Sequence, residues 1–484
     1  MLAVLVFFIS VPLLARGAPL LSGYAAQAGL QMDSDGGALN PPSRIGLETA
    51  VDPTSSPAAD NDSMASQPPA AASPVPTNQT ASSTNDDSDS TALAGPLVMA
   101  YYPDWAGGSF PPENISFDRF DWIDFAFALP TADFNLTWDD PNTAPDLLRR
   151  LVAAGHSQGK KVKLSVGGWT GSKFFSGAVA TDASRRTFAG NIGAVYDKFG
   201  LDGIDIDWEY PGRSGQPGNE VSSEDSMNYL AFLQVLRAAL PADARISAAT
   251  QSFPFSDPQG ESMRDVREFA KVLDWILLMN YDVWGSSSTP GPNAPFYNGC
   301  SNSSQPEANA VSAFNAWTAA GFPASQLVLG LPSYGYISHS TATSLRTRAH
   351  GIHRKRQDAA AVSTASTNSA FRVTDEDGGS DGQVQFRGLV AEGALVRVPP
   401  TDDGGVPQFV GGQGFTRYWD ECSATPFLRS PEAGQIITYD DPQSLGMKAA
   451  FAKQVGMLGV NMFDVHGDTP EWDLIDATRK GLRL

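Results

Sequence analysis

The chain has 484 residues, 42% of them apolar, enough to bury a large core in one big domain with appendages. Its 53 acidic and 33 basic side chains leave a formal charge of −20. That balance argues against nucleic acid and against an anionic membrane face as partners, and it suits a neutral or cationic polymer.

Residues 2–14 form an apolar run without a charge, too short to span a bilayer comfortably. The small residues Ala15, Gly17 and Ala18 follow it, as a signal-peptidase site prefers. Residues 1–18 therefore read as a signal peptide, with a mis-assigned start or a membrane anchor as the alternatives, although no positive charge precedes the run. Sequons at Asn61, Asn78, Asn114, Asn135 and Asn302 agree with export. From about residue 31 to 94 Ser, Pro, Ala, Thr and Asp dominate and aromatics are absent. Such a segment cannot bury enough apolar area to offset its ordering entropy. Residues 19–95 are expected to be a disordered low-complexity tail, a spacer able to carry O-glycans.

Residues 96–484 read as one catalytic domain. Apolar runs of strand length recur at 98–102, 122–129, 162–166, 204–208, 246–249, 275–279, 327–331 and 457–463. Helical patterns lie between most of them, at 144–158, 183–199, 225–240, 307–319 and 444–455. A last helix is expected after the eighth run, with Thr469 as cap, Pro470 in the first turn and Gly481 at its end. Eight strands, mostly with a helix after each, predict an α/β fold, a (β/α)8 TIM barrel.

The interval between the seventh and eighth runs is too long for one helix. Residues 337–437 are expected to form an α+β insertion with strand-like pieces at 382–386 and 395–398. Its polar start, 338–370, reads as a disordered loop. The basic cluster Arg354, Lys355 and Arg356 there reads as a solvated charge run, with a processing-protease site as the alternative. The only cysteines are Cys300, after the sixth strand, and Cys422, in the insertion. In an exported chain they can form one bridge that ties the insertion to the barrel rim; two buried thiols are the alternative.

The segment that carries chemistry is Leu201-Asp202-Gly203-Ile204-Asp205-Ile206-Asp207-Trp208-Glu209-Tyr210-Pro211. Side chains alternate along a strand, so Asp205, Asp207 and Glu209 share one face, and Ile204, Ile206 and Trp208 the other. In a barrel the apolar set packs on the helices and the acids point inward. Glu209 then lies at the C-terminal end of the strand, where barrel active sites are built. Three neighbouring carboxylates cannot all ionise cheaply, so at least one is pushed up, as a general acid requires. A metal cage fits poorly, because ligands two residues apart on a flat strand sit ~7 Å apart.

This segment resembles the Asp-x-x-Asp-x-Asp-x-Glu signature of family 18 glycoside hydrolases, the chitinases and their relatives, with Asp202, Asp205, Asp207 and Glu209 in its acidic positions. Ser165-Val166-Gly167-Gly168 is similar to the family's Ser-x-Gly-Gly motif, and Met279-Asn280-Tyr281-Asp282 to its Met-x-Tyr-Asp motif. Tyr439-Asp440-Asp441, with Ser444 and Lys448, resembles the start of its seventh helix. The resemblance implies that Glu209 protonates the glycosidic oxygen, that Asp207 orients the substrate's acetamido group, and that Asp205 holds Asp207. It implies that Tyr281 donates its hydroxyl to that acetamido group and that Tyr210, Met279 and Asp282 line the sugar site. The nucleophile would be the substrate's own acetamido oxygen, so neither cofactor nor metal is called for.

Trp105, Trp169 and Trp284, at strand ends, are the expected sugar platforms, with a place in the core as the alternative for each. Trp122 and Trp275, inside strands, read as packing. Ser165 and the two glycines read as structural, the glycines allowing close approach to a neighbouring strand. Two departures stand out. Phe463 takes the place of a tryptophan that many members carry on the last strand, and Tyr336 that of an arginine after Tyr-Gly at the seventh. The expected partners are chitin or N-acetylglucosamine oligosaccharides, with no nucleic acid, no membrane and a single chain as the working unit. The alternatives are an endo-β-N-acetylglucosaminidase of N-glycans and an inactive chitin-binding lectin on the same fold.

Overall fold

The computed structural model describes residues 95–301, 303–345, 370–374, 382–402 and 405–484, and a two-residue pairing, Gln31–Met32 against Ala38–Leu39, in the unit that precedes them. The expected signal peptide, the rest of the expected tail, Asn61, Asn78, Asn302 and the cluster Arg354, Lys355 and Arg356 lie outside the described residues.

Eight parallel strands close on themselves: β1 Leu97–Pro103, β2 Trp122–Pro130, β3 Lys161–Gly167, β4 Gly203–Asp207, β5 Arg245–Thr250, β6 Trp275–Leu278, β7 Leu327–Pro332 and β8 Gly459–Phe463. β8 pairs with β1, and β1 with β2, so no edge is left in the ring. This is a (β/α)8 TIM barrel. The helices that cover it are α1 Ala144–Ser157, α2 Asp182–Phe199, α3 Asp225–Ala239, α4 Ala310–Ala319, α5 Pro442–Gln454 and α6 Asp473–Gly481. They end where the sequence supplies capping chemistry. Thr181 and Ser184 form a capping box at the start of α2, and Gly200, at φ 64°, closes its C-terminus. Asp441 and Ser444 do the same for α5.

As the sequence pattern has it, not every strand is followed by a full helix: three short 3-10 turns, Asp104–Gly108, Pro112–Asn114 and Phe117–Arg119, fill the interval after β1, and only the four-residue Arg267–Ala270 forms after β5. One expectation shifts: the last helix begins at Asp473 rather than beside Thr469 and Pro470. The reason is Asp468, whose carboxylate takes the N–H groups of Leu474 and Ile475, while Thr469 Oγ1 takes that of Asp473. The orphan donors are satisfied from one turn upstream.

The insertion carries a five-stranded antiparallel sheet in the order Gln383–Gln385, Tyr334–His339, Gln435–Thr438, Thr425–Ser430, Thr416–Asp420. It also holds the helix Phe386–Ala391 and the hairpin Leu395–Val398 with Gln408–Gly411. Its sheet starts at Tyr334, and Ser338 and His339 belong to a strand, paired with Ile436 and Gln435, rather than to the polar loop expected from 338 onward.

Cys300 and Cys422 are joined by a disulfide that closes a separation of 122 residues. It ties the loop after β6 to the turn before Thr425–Ser430, beside the bond from Gly299 N to Cys422 O of 2.8 Å. In the chain-entropy account a loop of this length is worth at most about 5 kcal/mol. Denatured, unreduced protein should therefore show no free thiol. Replacing both cysteines by serine should lower unfolding free energy by about 2 to 5 kcal/mol, read from urea midpoints.

Candidate active site

Strand register builds the site in layers. β3 meets β4 with Ser165 beside Asp205 and Gly167 beside Asp207. β4 meets β5 with Asp205 beside Ser247. Ser165, Asp205 and Ser247 are therefore neighbours at one level inside the ring. Asp205 Oδ2 accepts from Tyr101 Oη at 2.9 Å and Ser165 Oγ at 2.8 Å, and Oδ1 accepts from Ser247 Oγ at 2.6 Å. Ser165 thus does more than shape a turn: its hydroxyl holds the deepest acid of the column. Asp202 does not join it. It lies at the opposite end of β4, bound to Lys161 Nζ, His156 Nε2 and Val162 N.

One step up, Asp207 is buried, and its Oδ1 has no hydrogen-bond partner among the described residues. Burial, then Glu209 and Asp205, push its carboxyl well above the usual range. Glu209, 9% exposed, caps the column. Burial pushes it up to about 7, a hydrogen bond with Tyr210 pulls the other way, and Asp282 adds to the rise. The turn beneath Glu209 is fixed by Ser172, whose Oγ accepts the Glu209 N–H at 2.8 Å and donates to Gly168 O at 2.8 Å. Gly167, at φ 118°, lets β3 come this near: a Cβ there would stand 2.1 Å from Asp207 O. The peptide bonds Ala126–Phe127, Glu209–Tyr210 and Phe463–Asp464 are cis.

Aromatic rings surround the acids. Phe463, at the end of β8, lies 5.4 Å from Tyr101, 6.0 Å from Tyr281 and 6.2 Å from Tyr334, centroid to centroid. Tyr281 is half-buried at its surface; desolvation first, then Asp207, Asp282 and Glu209, raise its hydroxyl. Gly330 on β7 leaves it room, since a Cβ there would meet Tyr281 Cε1 at 2.9 Å. Asp282 Oδ1 accepts from Tyr334 Oη and Tyr336 Oη, each at 2.7 Å. Tyr336 therefore holds an acid through a neutral hydroxyl. Trp105 and Trp169, after β1 and β3, are 53% and 41% exposed. Trp105 stands 6.2 Å from Phe127, and Phe127 6.2 Å from Tyr101, a run of rings leading outward. Trp284 is half-buried and covers Gly291, and Met279, also half-buried, donates its N–H to Thr250 O. Trp122 and Trp275 pack edge to face at 5.4 Å inside the ring, deeper than the acids.

Tyr101, Ser247, Ser172 and Tyr334 are site residues that strand-level reading missed. So is a second polar layer, Asp124, Lys163 and Asn461. Two of these carried a signal, a full charge in the middle of the apolar runs Trp122–Pro130 and Lys161–Gly167. Among the described residues no group of His, Cys, Asp and Glu is arranged to hold a metal, and no helix is long and apolar enough to cross a membrane.

The model of the glycosyl hydrolases family 18 matches residues 97–468. A chitinase-like effector of Moniliophthora roreri is 34% identical, over 80% of this chain and 92% of that one. Chitinase A1 of Niallia circulans is 28% identical over 69% of this chain and 44% of its own length. Among solved structures, a chitinase of Rhizomucor miehei matches with a TM-score of 0.65 and 30% identity, over 80% of this chain and all of that one.

The column has a measurable stability consequence. Glu209 is raised from 4.5 to about 7, so the folded state holds a proton that the unfolded state releases. Stability from this group is full below about 4.5 and is lost as pH rises through 7. The loss is on the order of 3 kcal/mol, shared with its partner Asp207. Glu209→Gln should gain in Tm over the parent as pH goes from 5 to 8, read by calorimetry; a gap that does not change with pH would contradict the raised acid.

Proposed function

The chain belongs to family 18 of the glycosyl hydrolases, and from that premise we propose that it is a secreted chitinase. It hydrolyses β-1,4 bonds between N-acetylglucosamine units with retention, by a substrate-assisted route. The observation that carries this reading is the buried, unpartnered Oδ1 of Asp207 beside the raised carboxyl of Glu209. An acceptor left bare beneath a proton donor suits the N–H of an acetamido group beside a glycosidic oxygen.

The steps follow from those positions. A sugar bound over Phe463 directs its acetamido N–H to Asp207, and the Tyr281 hydroxyl donates to the acetamido oxygen. Glu209, still protonated near neutral pH, gives its proton to the glycosidic oxygen as that bond breaks. The acetamido oxygen attacks the anomeric carbon from the opposite face and closes an oxazolinium. Glu209, now a carboxylate, takes a proton from water, which opens the ring at the anomeric carbon and restores the configuration. Asp207 stabilises the positive charge on the ring nitrogen throughout. Trp105 and Trp169, and Trp284 on the other side, offer faces on which neighbouring sugars stack. Tyr210, Met279 and Asp282 complete the wall.

A second reading has a specific observation behind it. Relatives named chitinase-like effectors, from two Moniliophthora species, are 34% and 33% identical. A chain of that kind can act by holding chitin oligosaccharides rather than by cutting them. The presence of Glu209 with its raised carboxyl favours turnover. Release of N-glycans from glycoproteins by the same acids is the remaining alternative within the family.

One set of incubations separates them. N-acetylated chitohexaose should be cleaved, fully deacetylated chitosan should not, because a free amine cannot form the oxazolinium, and a high-mannose glycoprotein should stay intact. Comparable cleavage of both polymers would sink the substrate-assisted route. Binding of chitohexaose without cleavage would establish the effector-like reading. Glu209→Gln should lower kcat by at least about a thousandfold while oligosaccharide Kd stays within about threefold. Asp207→Asn should cost a similar factor although it removes no proton donor. The alkaline limb of the kcat profile should fall near about 7, where Glu209 loses its proton.

A further inference from the structure

We propose that Lys163 is a positioning residue for the acid column: acting through Ser247, it holds Asp205 as a pure hydrogen-bond acceptor and leaves the column's proton to Asp207 and Glu209. The inference rests on the reading of Glu209 as proton donor.

Lys163 lies on β3 with no solvent exposure, one inward position below Ser165. Its Nζ is 2.5 Å from Ser247 Oγ and 3.3 Å from Asp124 Oδ1. The Trp275 ring faces it at 4.4 Å and the Trp122 ring at 6.0 Å. Asp124 Oδ2 in turn accepts from Asn461 Nδ2 at 3.0 Å. Room for the long stem is made by Gly203, its register partner on β4, where a Cβ would come within 3.0 Å of Lys163 Cγ. Aromatic walls, a counter-ion and a glycine cleft are thus assembled around one buried ammonium. Burial of such a group is costly and contributes little to stability by itself, because a well-packed apolar pair serves as well or better.

The direction of the hydrogen bonds gives it a use. An ammonium has protons and no lone pair, so Ser247 Oγ must accept from Lys163. The Ser247 proton is then free for Asp205 Oδ1 at 2.6 Å. Were Asp205 to carry a proton on that oxygen, the buried Ser247 hydroxyl would keep its own proton with no other acceptor bonded to it among the described residues. Oδ2 already receives Tyr101 and Ser165. Both oxygens of Asp205 are therefore occupied by incoming protons, and a proton shared along the column stays with the two upper acids. The charged and titratable groups around Lys163 are Asp124 on β2, Asp205 through Ser247, and Tyr101 beyond Asp205; Asn461, Trp122 and Trp275 are neutral.

The test compares Lys163→Met, Asp124→Asn and the pair of changes together. Removing the cation should make the upper acids hold their proton more tightly. In Lys163→Met the alkaline limb of the kcat profile should move up by about half a pH unit or more. Its kcat at the optimum should fall about tenfold or more, with KM within about threefold. Asp124→Asn keeps the shape and the Asn461 contact but removes the anion that offsets Lys163, so its limb should move down. If Lys163→Met fails to fold with Asp124 left unpaired, the neutral double variant decides, and it should move up as well, because only Lys163 is bonded to Ser247. Carboxyl 13C titration of Glu209, assigned with Glu209→Gln, reads the same shifts without turnover. A parent without hydrolytic activity would thus refute the proposed function and still leave Lys163 tested. Limbs and titrations unmoved in Lys163→Met and the double variant, or moved the same way in both single variants, would reduce Lys163 to a packing role.

Discussion

Asp205 is the group on which the site depends. A carboxylate at the centre of a β-barrel has lost its water, and only directed donors can replace it. Here three hydroxyls do so, from β1, β3 and β5, strands spread around one side of the ring. Each sits at its level because parallel register fixes which residues face each other. The same register then sets Asp207 and Glu209 at successive steps above, where among the described residues no such donor meets Asp207 Oδ1. The gradient runs from a saturated acid at depth, Asp205, to Asp207 and then Glu209 at the mouth, both of whose carboxyls burial raises. The backbone spacing of a single strand delivers it.

That gradient is unfavourable for folding and useful for chemistry. Raised carboxyls at Asp207 and Glu209 mark free energy that the fold gives up near neutral pH. The surrounding barrel offsets it with a closed ring of strands and the interior of Trp122, Trp275 and the apolar outer faces of the strands. Glycines are placed where the site needs two backbones in contact. Gly167 and Gly203 stand beside β4 or on it, at positions where a Cβ would strike a neighbouring carbonyl at 2.1 or 2.4 Å.

Much of this was legible in the sequence because alternation along β4 is strict: Asp205, Asp207 and Glu209 fall on one face whatever the details. The eight strands were legible too, each a short apolar run near its observed span. The second polar layer was not. Barrel strands are buried on both faces, so the inward and outward sets of β1, β2 and β3 both read as apolar, and period two is lost. Asp124 and Lys163 interrupt those runs, yet which other strand answers each charge depends on register, which no single run contains. Helix starts failed where the capping group lies outside the usual position, as Asp468 does for α6.

Asp282 shows how far the site reaches beyond the barrel. It has φ 56°, a conformation that asparagine and aspartate tolerate and most side chains resist. Its N–H is held by Asn293 Oδ1, and Asn293 Nδ2 binds Tyr334 O at the start of the insertion sheet. Asn280 Nδ2 binds Pro295 O, and Lys448 of α5, paired with Asp440, binds Ala294 O. The disulfide at Cys300 anchors the far side of the same loop to the insertion. The segment from Asn280 to Cys300 is thus fixed along its length by groups from the insertion and α5. Since Tyr334 and Tyr336 also hold the Asp282 carboxylate, the insertion forms one wall of the site rather than an ornament on it. The hydroxyls of Tyr334 and Tyr336 hold Asp282 in position, and its negative charge adds to the rise of the Glu209 carboxyl.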